Sequence, residues 1–149
     1  MKRCVSVLAG LLVAVCLWGC GGAPSEIEKA VLSHYGKPDQ DTKILSNDIK
    51  KSKEGSPSQD FKAKYNPQIV YCVACRTVSQ FENSPKLDYV NHCIVVKNQS
   101  GALSIVDVSS ITDSYGGDSF SFTSDRRKAK EVFNSLWNQT CSFPQYSNE

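Results

Sequence analysis

From Gln68 to Phe81, and again from Leu87 to Lys97, the chain consists largely of β-branched, aromatic and small residues, a composition that predicts two strands. Between them Asn83-Ser84-Pro85-Lys86 predicts the turn of a hairpin, because Pro85 cannot donate to a ladder while Asn83 and Ser84 bond locally. Ala102 to Thr112 predicts a third strand, entered through the loop Asn98-Gln99-Ser100-Gly101, and the three together make a meander. Further on the period changes. Ala129, Val132, Phe133, Leu136 and Trp137 recur at i, i+3, i+4, i+7 and i+8, the spacing of a helix with one core-facing stripe, and Ser124 or Asp125 stands where its N-cap is expected. Near the other end, Ser25-Glu26-Ile27-Glu28 reads as a capping box, Ile27, Ala30, Val31 and Tyr35 fall on one helical face, and Gly36 with Pro38 ends the helix.

The polar stretches between these elements predict less. A short strand is expected from Thr42 to Lys50 and loop from there to Lys64. Gly116-Gly117 predicts a turn, and Phe120 with Phe122 alternates like a short strand. The order helix, strands, helix gives an α+β fold: an antiparallel meander covered by a C-terminal helix, with an N-terminal helix. That outline resembles cystatin-like and nuclear-transport-factor-like domains, a likeness of architecture that carries no function.

Ahead of the first helix lies a different kind of segment. Met1-Lys2-Arg3 is followed by an uncharged run from Cys4 to Gly19, shorter than the roughly 20 apolar residues a membrane-spanning helix needs and shaped like an export signal. At its end Leu17-Trp18-Gly19-Cys20 resembles the lipobox of bacterial lipoproteins. The resemblance implies that residues 1–19 are a signal peptide and that Cys20 becomes an acylated, membrane-anchored N-terminus, stable because several acyl chains hold better than one. Residues 20–24 are then a short tether and 25–149 a single domain. Aspartate after the lipidated cysteine is the family's usual inner-membrane retention signal. Gly21 stands there instead, so in a cell with two membranes the resemblance implies the outer membrane, facing the periplasm.

Charge narrows the partners. The signal carries Lys2 and Arg3 among the 17 basic residues and none of the 15 acidic ones, so the remaining chain is balanced, which argues against nucleic acid. Basic residues cluster in Lys50-Lys51-Ser52-Lys53 and Arg126-Arg127-Lys128-Ala129-Lys130, read here as a solvated strand end and a solvated helix face. No Gly-rich phosphate loop, Gly-x-Ser-x-Gly or His-Glu-x-x-His occurs, and no catalytic residue or cofactor is expected. Asp107, Asp113 and Asp118 are the carboxylates placed to meet at one end of the sheet. A binding or accessory role toward an envelope protein is the favoured expectation, through a sheet edge or the loop around Tyr115-Gly116-Gly117.

The cysteines offer the one alternative chemistry, a thiol–disulfide oxidoreductase built on Cys72-Val73-Ala74-Cys75. In a regular strand residues i and i+3 point to opposite faces, and no helix follows Cys75 to stabilise a thiolate. Zinc held by Cys72, Cys75, His92 and Cys93 meets the same objection, since the four split two and two across the sheet. With Cys4 and Cys16 in the signal and Cys20 acylated, Cys72, Cys75, Cys93 and Cys141 remain for disulfides. A turn centred on Ser84 sets Cys75 opposite Cys93 and leaves Cys72, on the other face, for Cys141.

Overall fold

The computed structural model describes residues 22–38, 41–114 and 122–147. At its centre lies β2 (Ile69–Phe81), whose residues Val70 to Cys75 are buried without interruption, on both faces of the sheet. Its neighbours are β1 (Thr42–Glu54) and β3 (Leu87–Lys97), and β4 (Leu103–Val106) adds to the far side of β3, giving an antiparallel sheet in the order β1-β2-β3-β4. Helix α1 (Ser25–Tyr35) covers one face. Ile27 and Val31 pack there against Tyr71, Val73, Cys75, Cys93 and Val95. Helix α4 (Phe122–Thr140) covers the other, placing Ala129, Phe133 and Trp137 over Val70, Cys72, Ala74, Ile94 and Val96. The fold is therefore α+β, with an antiparallel four-stranded sheet and helices before and after it.

Two helices stand where the sequence predicts strand or loop. Helix α2 (Gln59–Tyr65) is opened by Ser58, whose Oγ accepts from Phe61 N–H at 3.3 Å, and it buries Phe61. Helix α3 (Val108–Ser114) cuts short the third strand. Its cause is Asp107: Oδ1 accepts from Ser110 N–H at 2.8 Å while Asp107 N–H donates to Ser110 Oγ at 2.9 Å, a reciprocal cap that turns the backbone out of the sheet.

The expected capping box at Ser25 does not form. Pro24 is the N-cap and its carbonyl accepts from Ile27 and Glu28, while Glu28 Oε1 is taken by the Ser52 hydroxyl at 2.7 Å. Ser124 and Asp125 lie inside α4, which begins at Phe122, so Phe122 is helical and not in a strand. Phe120 and the Gly116-Gly117 turn lie outside the described residues. At the β3–β4 connection Gly101 does take a positive φ of 85°.

The chain after α4 crosses the sheet as a strap, residues 141–147. Cys141 is bonded to Cys72 with their Cα atoms 5.8 Å apart. Gly55 sits against this bridge so closely that a Cβ there would lie 3.1 Å from Cys72 Sγ. Phe143 O accepts from Trp137 Nε1 at 2.8 Å, and Tyr146 N–H donates to His92 Nε2 at 2.9 Å. Lys50 and Lys51 lie over the Tyr146 and Phe143 rings at 4.3 and 4.9 Å, so these two lysines are partly engaged by the strap.

The second expected disulfide is corrected by the register. The turn closes from Ser84 N–H to Phe81 O at 2.8 Å, with Glu82 at φ 43°, so the hairpin centres one residue earlier than Ser84. Cys75 consequently faces Asn91, and Cys93 faces Val73. Both cysteines remain on the α1 face, where each is a buried free thiol. No described helix is long and apolar enough to cross a membrane.

Candidate functional site

Where β4 ends, the chain brings the C-terminal end of α1 and the start of α3 together around a buried carboxylate. Asp107 is 5% exposed. Its Oδ2 accepts from Tyr35 OH at 2.9 Å and lies 3.1 Å from His34 Nε2, while Oδ1 holds the α3 cap. The geometry follows from α1: His34 and Tyr35 are its last residues, and Asn47 Nδ2 donates to Leu32 O at 2.7 Å, fixing the helix end on the sheet. Burial, reinforced by neighbouring Cys93 and Asp107, pushes the Tyr35 phenol far above its ordinary value, so it keeps its proton and remains a donor to Asp107.

Beside this network opens a cleft of about 670 Å³, within the range of small-molecule sites. Tyr35 and Asp107 form one wall, Arg126 and Lys130 of α4 another, and His92 and Gln145 a third. His92 is held in place by three groups: its Nε2 accepts from Tyr146, and its ring packs edge-on to Trp137 at 5.2 Å and stacks on Tyr146 at 6.0 Å. Burial, with Lys50 nearby, holds its pKa down to about 4. The imidazole is then neutral at pH 7 and, with Nε2 accepting, its hydrogen sits on Nδ1. The unfolded chain binds this proton below about 6.5 and the folded protein only near 4, so His92 makes stability fall as pH drops through that window. An NMR titration following the His92 ring is expected to show a midpoint near 4; a midpoint near 6.5 would contradict the packing described.

A second cleft, about 730 Å³, lies over Asp48, Arg76, Asp88 and Tyr146. Two of its charges are paired: Arg76 grips Asp88 through Nε at 3.0 Å and Nη2 at 2.6 Å. An exposed pair of this kind is worth little to stability, but it leaves the cleft without a free charge at that position.

The sequence candidates scatter. Cys20, Tyr115, Gly116, Gly117 and Asp118 lie outside the described residues. Asp113 is exposed on α3 while Asp107 is buried, so these carboxylates do not meet. Cys72 and Cys75 point to opposite faces, the first bonded to Cys141 and the second donating to Asn47 Oδ1 at 2.9 Å. Burial pushes the Cys75 thiol up to about 11 and raises Cys93 further, where it adjoins Tyr35. Thiols of this kind are unreactive at neutral pH. Iodoacetamide at pH 7 is expected to leave Cys75 and Cys93 unlabelled in the folded protein and to label both in urea; labelling of either in the native state would show that its pocket opens.

His92 and Cys93 likewise face opposite sides, and among the described residues no three of His, Cys, Asp and Glu gather as metal ligands. The pattern reading missed the Tyr35–Asp107–His34 contact, which joins residues more than seventy positions apart. A local signal was present in Asp107-x-x-Ser110, a cap pattern inside an apolar run. No protein-family model, curated protein or solved structure matches this chain.

Proposed function

We propose that this protein is a lipid-anchored component of the cell envelope whose domain binds a partner or ligand and does not catalyse a reaction. The observation that carries the reading is how soon the fold begins. Ala23 N–H donates to Ser52 Oγ at 3.0 Å and α1 starts at Ser25, only a few residues after the lipobox-like Leu17-Trp18-Gly19-Cys20. The link from Cys20 to Ala23 reaches about 10 Å at most, so acyl chains on Cys20 would hold the domain against the bilayer. The N-terminal end of α1, where Glu26 accepts from Lys97 Nζ, would lie nearest the lipid. The cleft beside Tyr35 sits at the opposite end of this 11-residue helix, about 16 Å away, and would face outward.

Membrane attachment through Cys20 accounts for the export signal. Gly21 after the cysteine favours an outer membrane, where one exists, with the domain in the periplasm. The buried, unreactive thiols favour a binding or accessory role toward an envelope protein over thiol–disulfide chemistry.

Intact mass with and without reductant, combined with membrane fractionation, tests the anchor. Cleavage before Cys20, added acyl mass, and loss of both the acyl mass and the membrane fraction in Cys20→Ala are expected. Crosslinking followed by purification tests the partner. An unacylated chain, or one that stays solitary after crosslinking, would overturn the respective half of the reading.

A further inference from the structure

We propose that the cleft between Tyr35, His92, α4 and the strap binds a small organic acid: Arg126 and Lys130 receive its carboxylate, and the apolar wall receives its body. The inference rests on the binding role proposed above and names the chemistry of the ligand.

Charge is the first argument. Asp107, the single carboxylate among the described residues of the cleft wall, is occupied by Tyr35, His34 and the Ser110 amide. Arg126 and Lys130 are exposed, one helical turn apart on α4, and neither has an ion-pair partner among the described residues. Like charges at this spacing oppose helix formation, and an anion placed between them would relieve the repulsion. In the neighbouring larger cleft the one guanidinium, Arg76, is already gripped by Asp88.

Hydrogen bonding is the second. Gln145 Nε2 is buried and has no partner, an uncommon state for a donor in a folded protein, and Gln145 belongs to the wall of this cleft. His92 contributes another donor, since its acceptor nitrogen is used by Tyr146 and its hydrogen is on Nδ1. A cleft with two cations and a buried donor left unsatisfied calls for acceptor oxygens.

Shape is the third. Val90, Val108 and Phe133 give the same cleft an apolar lining that a bare inorganic anion would leave uncovered, whereas a carboxylate on a hydrocarbon body uses both parts.

Calorimetric titration of the full chain with benzoate tests this, using benzamide as the uncharged analogue and inorganic phosphate as the bare anion. Benzoate is expected to bind saturably, about tenfold tighter than either control, and to weaken as salt rises. The double variant Arg126→Ala/Lys130→Ala is expected to lose about tenfold in benzoate affinity with its thermal unfolding unchanged, because both side chains are solvent-exposed. Gln145→Leu is expected to weaken benzoate as well. Equal binding of benzoate and benzamide, phosphate binding as tightly as benzoate, undiminished affinity in the double variant, or no saturable heat at tens of millimolar benzoate would each overturn the proposal. None of these outcomes bears on acylation of Cys20 or on crosslinking to a partner, so failure of the acid site and failure of the proposed function are read separately.

Discussion

Replacing both Cys72 and Cys141 by alanine is expected to lower the unfolding free energy by about 4 kcal/mol. The bond spans a sequence separation of 69 and joins the central strand to the residue just beyond the covering helix. In the chain-entropy account a loop of that size restricts the unfolded ensemble strongly, and the loss compares with a total stability of roughly 5–15 kcal/mol for a domain of this kind. Urea unfolding followed by circular dichroism checks it: the variant and the reduced wild type are expected to unfold together, well below the oxidised wild type. A difference under about 1 kcal/mol would mean that the unfolded chain is already constrained or that the bond is not made in solution. Cys75→Ala is the fitting comparison, since it removes a buried thiol and its contact with Asn47 but no crosslink.

Trp137→Ala is expected to cost a similar amount, about 3–5 kcal/mol. Trp137 is fully buried and meets Phe143, His92 and Phe133 at ring-centre distances of 5.2, 5.2 and 5.9 Å. Its Nε1 also donates to Phe143 O, so one side chain holds both α4 on the sheet and the strap on α4. Trp137→Phe separates the two contributions: it keeps an aromatic ring and removes the hydrogen bond, with an expected loss of about 1–2 kcal/mol. Thermal or urea unfolding of the pair measures both, and equal losses in the two variants would show that packing contributes little.

Sheet and covering helices were legible in the sequence because their signals are local. β3 spans the predicted residues, β2 differs by one at its start, and the Ala129–Trp137 stripe faces the core as its spacing requires. Failures arose where side chains chose among partners. Glu28 had a backbone donor within reach at the start of α1 and is bound instead by Ser52, twenty-four residues away. Asp107 had the composition of a strand around it, and a two-residue exchange with Ser110 ended that strand. The hairpin register turned on one residue, and that residue decided whether Cys75 met Cys93 or Asn91.

Much less of the candidate site was legible. Arg126 and Lys130 were visible as a basic run on the helix, but nothing local indicated that the strap would place Gln145 and Tyr146 beside them. Asp107 reads as one surface carboxylate among several until α1 lays Tyr35 over it. Sites assembled from the two ends of a chain around a central strand have no short motif, and their chemistry becomes readable once the layers are stacked.

The bridge between Cys72 and Cys141 also sets an order of events. A growing chain presents Cys72, Cys75 and Cys93 well before Cys141, which follows α4. An early oxidant therefore meets three thiols whose correct arrangement includes no bond among them. The native pairing is left for the moment when α4 docks on the sheet, and it acts as a lock closed after folding instead of a guide to it.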